Sequence, residues 1–206
     1  MSRYIFVIEA DRCIGCKGCM VACKMENEVA LGANRNKVYD VGPMGVFPDL
    51  EMYFLPVMCQ QCENPSCVAV CPTNACHINE ADKVILIDQD KCISCHACEK
   101  ACPYQINTFN KELRVMDKCT ICSQRREVGD VPHCVKNCSG RALHYGDIED
   151  PNSEVSQILK NEKPEHIHKL PDMGNHPSNY YILRKGTWQD ALPQTFAERR
   201  NGKGGK

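Results

Sequence analysis

The sequence contains no run of about 18–20 apolar residues, the length that a membrane-spanning helix requires. Its first residues, MSRYIFVIEADR, also lack the apolar stretch and cleavage site of a signal peptide. Charge of one sign does not dominate, because 25 lysines and arginines face 26 aspartates and glutamates. This balance does not favour binding to nucleic acid or to an anionic membrane. We therefore expect no nucleic-acid partner and no direct membrane span.

Aromatic residues are also scarce, at 6 % with a single tryptophan, whereas cysteine accounts for 17 of the 206 residues. So high a cysteine content indicates a chain held together by something other than apolar packing alone. An odd number of cysteines without a visible export signal does not favour a disulfide framework. Zinc sites and iron–sulfur clusters are the two alternatives that remain.

One stretch, KCISCHACEKACPY at residues 91–104, decides between them. Its cysteines, Cys92, Cys95, Cys98 and Cys102, are spaced C-x2-C-x2-C-x3-C and are followed by Pro103. In two-cluster ferredoxins this is the spacing of an iron–sulfur ligand run whose fourth cysteine binds the other cluster. The motif cannot be complete by itself, so Cys102 predicts a second cluster and a second group of cysteines.

Three further groups of four cysteines stand elsewhere in the chain, so that the groups take in 16 of the 17. The other groups are Cys13, Cys16, Cys19 and Cys23; Cys59, Cys62, Cys67 and Cys71; and Cys119, Cys122, Cys134 and Cys138. Two cysteine pairs would complete one tetrahedral zinc site, but these are three-cysteine runs with a trailing fourth. Sixteen thiolates at four per cubane predict four [4Fe–4S] clusters, with a zinc-stabilised interaction module as the distant alternative.

The periodicity predicts a repeat of short strand, cysteine loop and short helix. Strands are expected at residues 4–8, 51–57, 142–145 and 180–183, and hairpins at 75–88 and 106–116. Helices are expected at 18–30, stopped by Gly32, and after Asp150, with Asp150 as N-cap and Pro151 at the first position. Residues 34–48 predict a loop, residues 123–133 an exposed excursion, and residues 199–206 a disordered end.

The cysteine groups resemble those of a known family, the four-cluster iron–sulfur subunits of bis-molybdopterin oxidoreductases. That family includes polysulfide, thiosulfate, dimethyl sulfoxide, arsenate and nitrate reductases and formate dehydrogenase. The resemblance extends from residue 4 to about residue 158, and the HPSNYYIL segment is most similar to the polysulfide and thiosulfate branch. The segments that carry it are CIGCKGCMVACKMENEV (13–29), CQQCENPSCVAVCPTNA (59–75), CISCHACEKACPY (92–104) and KCTICSQRREVGDVPHCVKNC (118–138), which runs into HYGDIEDP (144–151).

The resemblance implies an α+β fold of two ferredoxin-like modules related by pseudo-two-fold symmetry. Residues 1–50 and 112–150 would form the first module, residues 51–111 an inserted second module, and residues 151–206 a helix and a partner-contacting tail. It also implies how the groups exchange their fourth cysteines. The first set would be Cys13, Cys16, Cys19 and Cys138, the second set Cys23, Cys119, Cys122 and Cys134, the third set Cys59, Cys62, Cys67 and Cys102, and the fourth set Cys71, Cys92, Cys95 and Cys98.

Because no set lacks a cysteine, no iron is left open for a substrate, and the chain is expected to conduct electrons and not to catalyse. The resemblance implies a molybdenum or tungsten catalytic subunit at the first cluster. A quinone-reactive membrane subunit or a soluble donor would lie at the fourth. The alternative is an independent polyferredoxin that shuttles electrons between soluble enzymes. The expected compartment is the cytoplasm, or the periplasm if a signal-bearing catalytic subunit exports the chain with it.

Two features outside the ligand sets complete the sequence-based predictions. Cys76 follows Cys71 too closely to be another ligand and is expected to be a buried free thiol. Ten basic residues stand near the cysteine groups, and each either raises the potential of a nearby cluster or is a solvated surface charge. They are Arg12, Lys17, Lys24, Lys91, Lys100, Lys118, Arg125, Arg126, Lys136 and Arg141.

Overall fold

The computed structural model describes residues 2–189, which form ten strands, six α-helices and two single-turn 3₁₀ helices. The strands are β1 (Tyr4–Glu9), β2 (Asn36–Val46), β3 (Asp49–Met58), β4 (Cys76–Ile78), β5 (Ile85–Ile87), β6 (Thr108–Asn110), β7 (Val115–Asp117), β8 (Leu143–Asp147), β9 (Ile167–His168) and β10 (Tyr180–Ile182). The helices are α1 (Gly18–Glu26), α2 (Ser66–Ala69), α3 (Ala97–Ala101), α4 (Ser123–Glu127), α5 (His133–Lys136) and α6 (Glu154–Asn161). The architecture is mixed and loop-rich, as expected.

The largest sheet has the order β8-β1-β10-β9, and β1 is its most buried strand. β1 pairs antiparallel with β8 and parallel with β10. Its alternating side chains serve two faces, because Ile5 and Val7 pack against Val155 of α6, while Phe6 and Ile8 join the core around the cysteine loops. A strand covered on both faces is expected to be continuously apolar, which explains the YIFVI run.

The predicted loop at residues 34–48 is wrong, because most of it forms β2, the first strand of a long hairpin with β3. A bulge between Val41 and Met44 accommodates the Gly42-Pro43 pair that suggested a loop. Gly42 adopts φ +110° there, a conformation that residues with a side chain rarely take. The hairpin forms a sheet of two strands, in which Pro56 is tolerated because both strands are edges.

Two predicted helix boundaries are also wrong. α1 ends at Glu26 and not near residue 30, and Gly32 lies beyond it in the connecting loop. α6 begins at Glu154 because Ser153 is its N-cap, with Ser153 Oγ accepting the Ser156 N–H at 3.2 Å. The predicted cap, Asp150, instead accepts a hydrogen bond from the Asn152 N–H in the preceding turn.

The remaining predicted strands and both short hairpins are confirmed with small shifts of their ends. The excursion at residues 123–133 begins with α4 and is exposed or partly buried at every position except Pro132. The β2–β3 hairpin crosses the predicted module boundary at residue 50, and the division into modules and their pseudo-two-fold symmetry stay predictions. Residues 199–206 lie outside the described part. Within residues 2–189 no helix is both long and apolar enough to cross a bilayer.

Asn179 connects the end of the described chain to the sheet and to a cysteine loop. Its side chain is fully buried, its Oδ1 accepts the Phe6 N–H at 3.0 Å, and its Nδ2 donates to the Cys59 carbonyl at 3.0 Å. One amide thus satisfies two buried backbone groups that belong to distant segments. The segment before β10 therefore helps to hold the loop that begins at Cys59.

Replacing Asn179 with alanine should destabilise the folded protein, because each buried backbone group left unpaired costs about 1–3 kcal/mol. The thermal midpoint, measured under anaerobic conditions from the loss of the protein's visible absorbance, should fall by several degrees. Asn64→Ala removes one exposed hydrogen bond, to the Gly174 carbonyl, and is the matched control. Equal midpoints for the two variants would contradict the role assigned to Asn179.

Candidate metal centres

All 17 cysteines lie in the described part of the chain, and all are free thiols. The structure brings the sixteen predicted ligands together in four sets of four, while Cys76 is buried beside two of these sets. Each set combines three cysteines from one stretch with a fourth that is distant in the sequence. In each set the fourth cysteine therefore comes from a different sequence group than the other three.

The first set forms around the loop after β1. The pKa of Cys19 is raised to about 12, first by burial and then by its neighbours Cys13, Cys138 and Cys16. Cys138 reaches this loop through a close backbone approach at Gly140, where an added Cβ would lie 2.3 Å from the Arg12 carbonyl oxygen. The Ala142 N–H donates to Cys138 Sγ at 3.2 Å and orients the thiolate.

The second set lines a small cavity, together with Arg35 and Asn27. Cys134, on α5, meets Cys119 and Cys122 there, and Cys23 enters from α1. Asn27 Nδ2 lies 3.6 Å from Cys23 Sγ and 3.7 Å from Cys122 Sγ. This donor can therefore stabilise negative charge on either thiolate.

The third set joins the loop after β3 to the end of α3. The pKa of Cys102 is raised to about 11, chiefly by burial and also by Cys59 and Cys67. The pKa of Cys62 is raised further, first by burial and then by Cys59, Cys102 and Cys67. Gln61 Nε2 is a buried donor without a hydrogen-bond partner among the described residues, and a sulfur-rich cluster on the flanking cysteines would supply acceptors.

The fourth set lines a second small cavity, in which Cys71 meets Cys92, Cys95 and Cys98. The Cys76 N–H donates to Cys71 Sγ at 3.3 Å, and the Met116 N–H donates to Cys92 Sγ at 3.4 Å. Hydrogen bonds from the backbone around Cys71 lower its pKa, although burial opposes them. These donors favour the thiolate form, which is the form that binds metal.

Successive sets are close enough for their thiols to interact electrostatically. Burial raises the pKa of Cys134 well above its ordinary value, and the thiols around it include Cys19 of the first set. The pKa of Cys119 is also raised by burial and by nearby thiols, which include Cys59 of the third set. Cys98 of the fourth set interacts with Cys67 of the third. Interactions of this kind thus connect the first set to the second, the second to the third and the third to the fourth.

The loops of the first and fourth sets repeat one backbone conformation. Gly15 and Lys17 have φ +65° and +59°, and Ser94 and His96, at the equivalent positions, have φ +57° and +59°. Residues in the left-handed region turn successive N–H groups toward one side, which produces concavities that bind anions. The His96 ring lies at the surface, where its Nδ1 is hydrogen-bonded to Glu99 at 2.7 Å. His96 therefore contributes its backbone conformation, and not its ring, to the site.

The donor set fits multi-iron clusters better than zinc. Within residues 2–189 no three Cys, His, Asp or Glu side chains are close enough to hold a single metal ion. Four ligands of zinc share one ion, whereas the thiolates of a cubane each bind a different iron and so stand farther apart. Because several of the buried thiols have raised pKa values, we expect cluster binding to release protons.

Six of the ten basic residues near the groups are exposed, as expected of solvated surface charges, and Lys24, Arg125 and Arg126 are partly buried. Lys118 is the exception, with 1 % of its surface exposed. Burial opposes its charge, but nearby thiolates, led by Cys59, raise its pKa above the ordinary value. Arg35 lines the cavity of the second set and is held by Asp117 at 2.8 Å, but no motif indicates it in the sequence, where it lies twelve residues beyond Cys23.

Comparison with known proteins agrees with this chemistry. Two family models, both described as 4Fe-4S dicluster domains, match residues 12–75 and 50–148. A protein named as an iron–sulfur component of dimethyl sulfoxide reductase in Halobacterium salinarum is 38 % identical, over 88 % of this chain and 79 % of its own length. A tetrathionate reductase subunit of Salmonella typhimurium is 38 % identical, over 87 % of this chain and 72 % of its own length.

The chain belongs to the family of reductase iron–sulfur subunits that contain 4Fe-4S dicluster domains. A polysulfide reductase polypeptide of Wolinella succinogenes extends the comparison, at 34 % identity over 89 % of this chain and 95 % of its own length. Like its relatives, the subunit carries 4Fe-4S clusters and transfers electrons. The clusters supply the redox chemistry, while the protein holds them by thiolates, excludes water and surrounds the thiolates with N–H donors.

Replacing Gly140 with alanine should disturb the first set, because its Cβ would collide with the backbone at Arg12. Overpacking of this kind costs about 1–3 kcal/mol and would move Cys138 away from its partners. Iron and acid-labile sulfide per chain should fall. Ser139→Ala is the control, since it shortens an exposed side chain beside Gly140 and adds no atom. Full cluster content in Gly140→Ala would show that this close approach is not required.

Proposed function

We propose that the protein holds four [4Fe–4S] clusters in a row and relays electrons between two redox partners. The four sets of thiols carry this proposal, because each supplies the four ligands of one cubane and successive sets are adjacent. The ligands are assigned as the first to fourth sets defined above. The two ferredoxin-like modules of the sequence analysis, each holding two clusters, are part of the same proposal.

One end of the row is proposed to dock on a molybdenum or tungsten bis-molybdopterin catalytic subunit. The curated relatives named as reductase subunits support a catalytic partner of this class. The first set is the proposed contact, because Cys16 is exposed and Ile14 beside it is 61 % exposed. Val21 and Met25, on α1, add exposed apolar surface around it.

The other end is proposed to lie at the fourth set, facing a quinone-reactive membrane subunit or another redox partner. Cys95 is the second exposed cysteine of the 17, and Ile93 beside it is 62 % exposed. At the equivalent positions of the middle loops, Gln60 is 1 % exposed and Thr120 is partly buried. Exposed apolar side chains beside a redox centre suit a partner that must approach closely, so this contrast supports entry and exit at the two ends.

The proposed cluster count is tested by chemical analysis of the anaerobically purified subunit. Four cubanes predict about sixteen irons and as many labile sulfides per chain. Cys138→Ser should perturb only the cluster bound by Cys13, Cys16 and Cys19 in electron paramagnetic resonance spectra, and Cys76→Ser should retain four clusters. Zinc without sulfide would refute the proposal, and an altered fourth cluster in Cys138→Ser would refute the ligand assignment.

The proposed partners are tested by placing a charge at each end of the row. Ile14→Glu should weaken the complex with a large pterin-containing subunit at least tenfold, which corresponds to about 1.4 kcal/mol, because the carboxylate would be buried without a partner. Ile93→Glu is the matched control at the other end and should leave that complex intact. Co-purification and binding measurements, with iron content checked in both variants, give the result. A subunit that is monomeric and fully active with soluble enzymes would favour the polyferredoxin alternative.

A further inference from the structure

Lys118 places a buried positive charge between two of the ligand sets. Its ammonium donates to the carbonyl oxygens of Ile85 and Cys119, the latter at 2.9 Å, and lies 3.6 Å from Cys59 Sγ. The three N–H groups of an ammonium are thus matched by three acceptors. A buried lysine is tolerated when it is paired in this way, and the contacts hold the charge at one position.

The position of this charge matters because its acceptors belong to neighbouring sets. Cys119 is a ligand of the second set and Cys59 of the third, so the ammonium lies where the row passes from one set to the next. Electrostatic interactions extend from Lys118 to Cys67, also of the third set, and to Cys76. The second and third sets therefore share this cation, whereas the exposed basic residues are screened by water.

Cys76 places a second potential donor near the third set. Its thiol is 2 % exposed in the buried apolar cluster that also contains Cys67, while its own backbone N–H donates to Cys71 Sγ of the fourth set. A Cys67 side chain that binds iron has lost its proton, so only the S–H of Cys76 could donate between these two sulfurs. The seventeenth cysteine therefore carries an S–H donor in the same apolar cluster as a ligand of the third set.

We propose that Lys118 and Cys76 stabilise an added electron at the third cluster, and that Lys118 also stabilises an added electron at the second. Both residues act through the clusters and are therefore positioning residues for electron transfer. This inference rests on the proposed four-cluster function. One electron arrives from the neighbouring cluster and one leaves for the next, and no bond or proton changes at either residue. A positive charge and a hydrogen bond to a ligand sulfur both favour the more negative state, so each raises the reduction potential.

Redox titration of the loaded protein, followed by electron paramagnetic resonance, tests the role of Lys118. In Lys118→Met the ratio of reduced to oxidised second and third clusters, at a fixed solution potential, should fall at least tenfold. For a one-electron couple this corresponds to about 59 mV. The first cluster should keep its potential. Lys100→Met is the control, because Lys100 is exposed on α3 and should shift none of the four clusters.

The role of Cys76 is tested in the same way with two variants. Cys76→Ala should lower the potential of the third cluster and leave the second unchanged. Cys76→Ser should lower it less, because the hydroxyl can still donate to Cys67 Sγ.

Unchanged potentials in Lys118→Met, or an equal shift of all four clusters, would overturn the inference for Lys118. Identical potentials in the alanine variant and the wild type would overturn it for Cys76.

If Lys118→Met does not retain its clusters, a measurement on the wild-type protein tests the inference instead. Selective labelling with 15N-lysine should produce a lysine nitrogen coupling to the reduced second or third cluster in pulsed electron paramagnetic resonance. Its absence from both would refute the position assigned to the charge. Failure of the proposed function is distinguishable, because a wild-type protein without four clusters would show it before any variant is compared.

Discussion

Cluster binding imposes a requirement on the whole molecule, because every proposed set needs a cysteine from a distant segment. Cys138 completes a set whose other members are more than one hundred residues earlier, and Cys102 completes one that begins at Cys59. Three of the four sheets have only two strands, and such hairpins are marginally stable by themselves. The ligand sets therefore provide cross-connections that the short helices and strands could not provide through apolar packing alone.

The concentration of thiolates creates an electrostatic demand that the backbone meets first. Left-handed residues in the ligand loops direct N–H groups inward, and backbone donors lie within 3.5 Å of Cys71, Cys92, Cys119 and Cys138. Side-chain cations are added at only a few places, among them Lys118 and Arg35. Because backbone dipoles are fixed by the fold, they stabilise negative charge with little rearrangement when an electron arrives.

The contrast between the middle and the ends of the row follows from the same loops. The middle loops turn Gln60 and Ile121 into the core, where they exclude water, while the outer loops expose Ile14 and Ile93. The β2–β3 hairpin packs beside the first set, since a Cβ on Gly15 would meet the Phe54 ring at 2.5 Å. At the tip of this hairpin Val46 and Phe47 are 82 % and 83 % exposed, so the hairpin carries exposed apolar surface of its own.

Cysteine spacing alone was sufficient to predict iron–sulfur ligands and the internal repeat, and the apolar run at residues 4–8 was sufficient to predict β1, because each is set by local pattern. The sequence could not predict the β2–β3 hairpin, since the glycines and prolines that indicate a loop are accommodated by a bulge that only strand pairing reveals. Nor could it separate Lys118 from nine other basic residues. Burial between Cys59 and Cys119, which are 60 positions apart in the sequence, is decided by tertiary packing, because contacts between distant segments leave no local pattern.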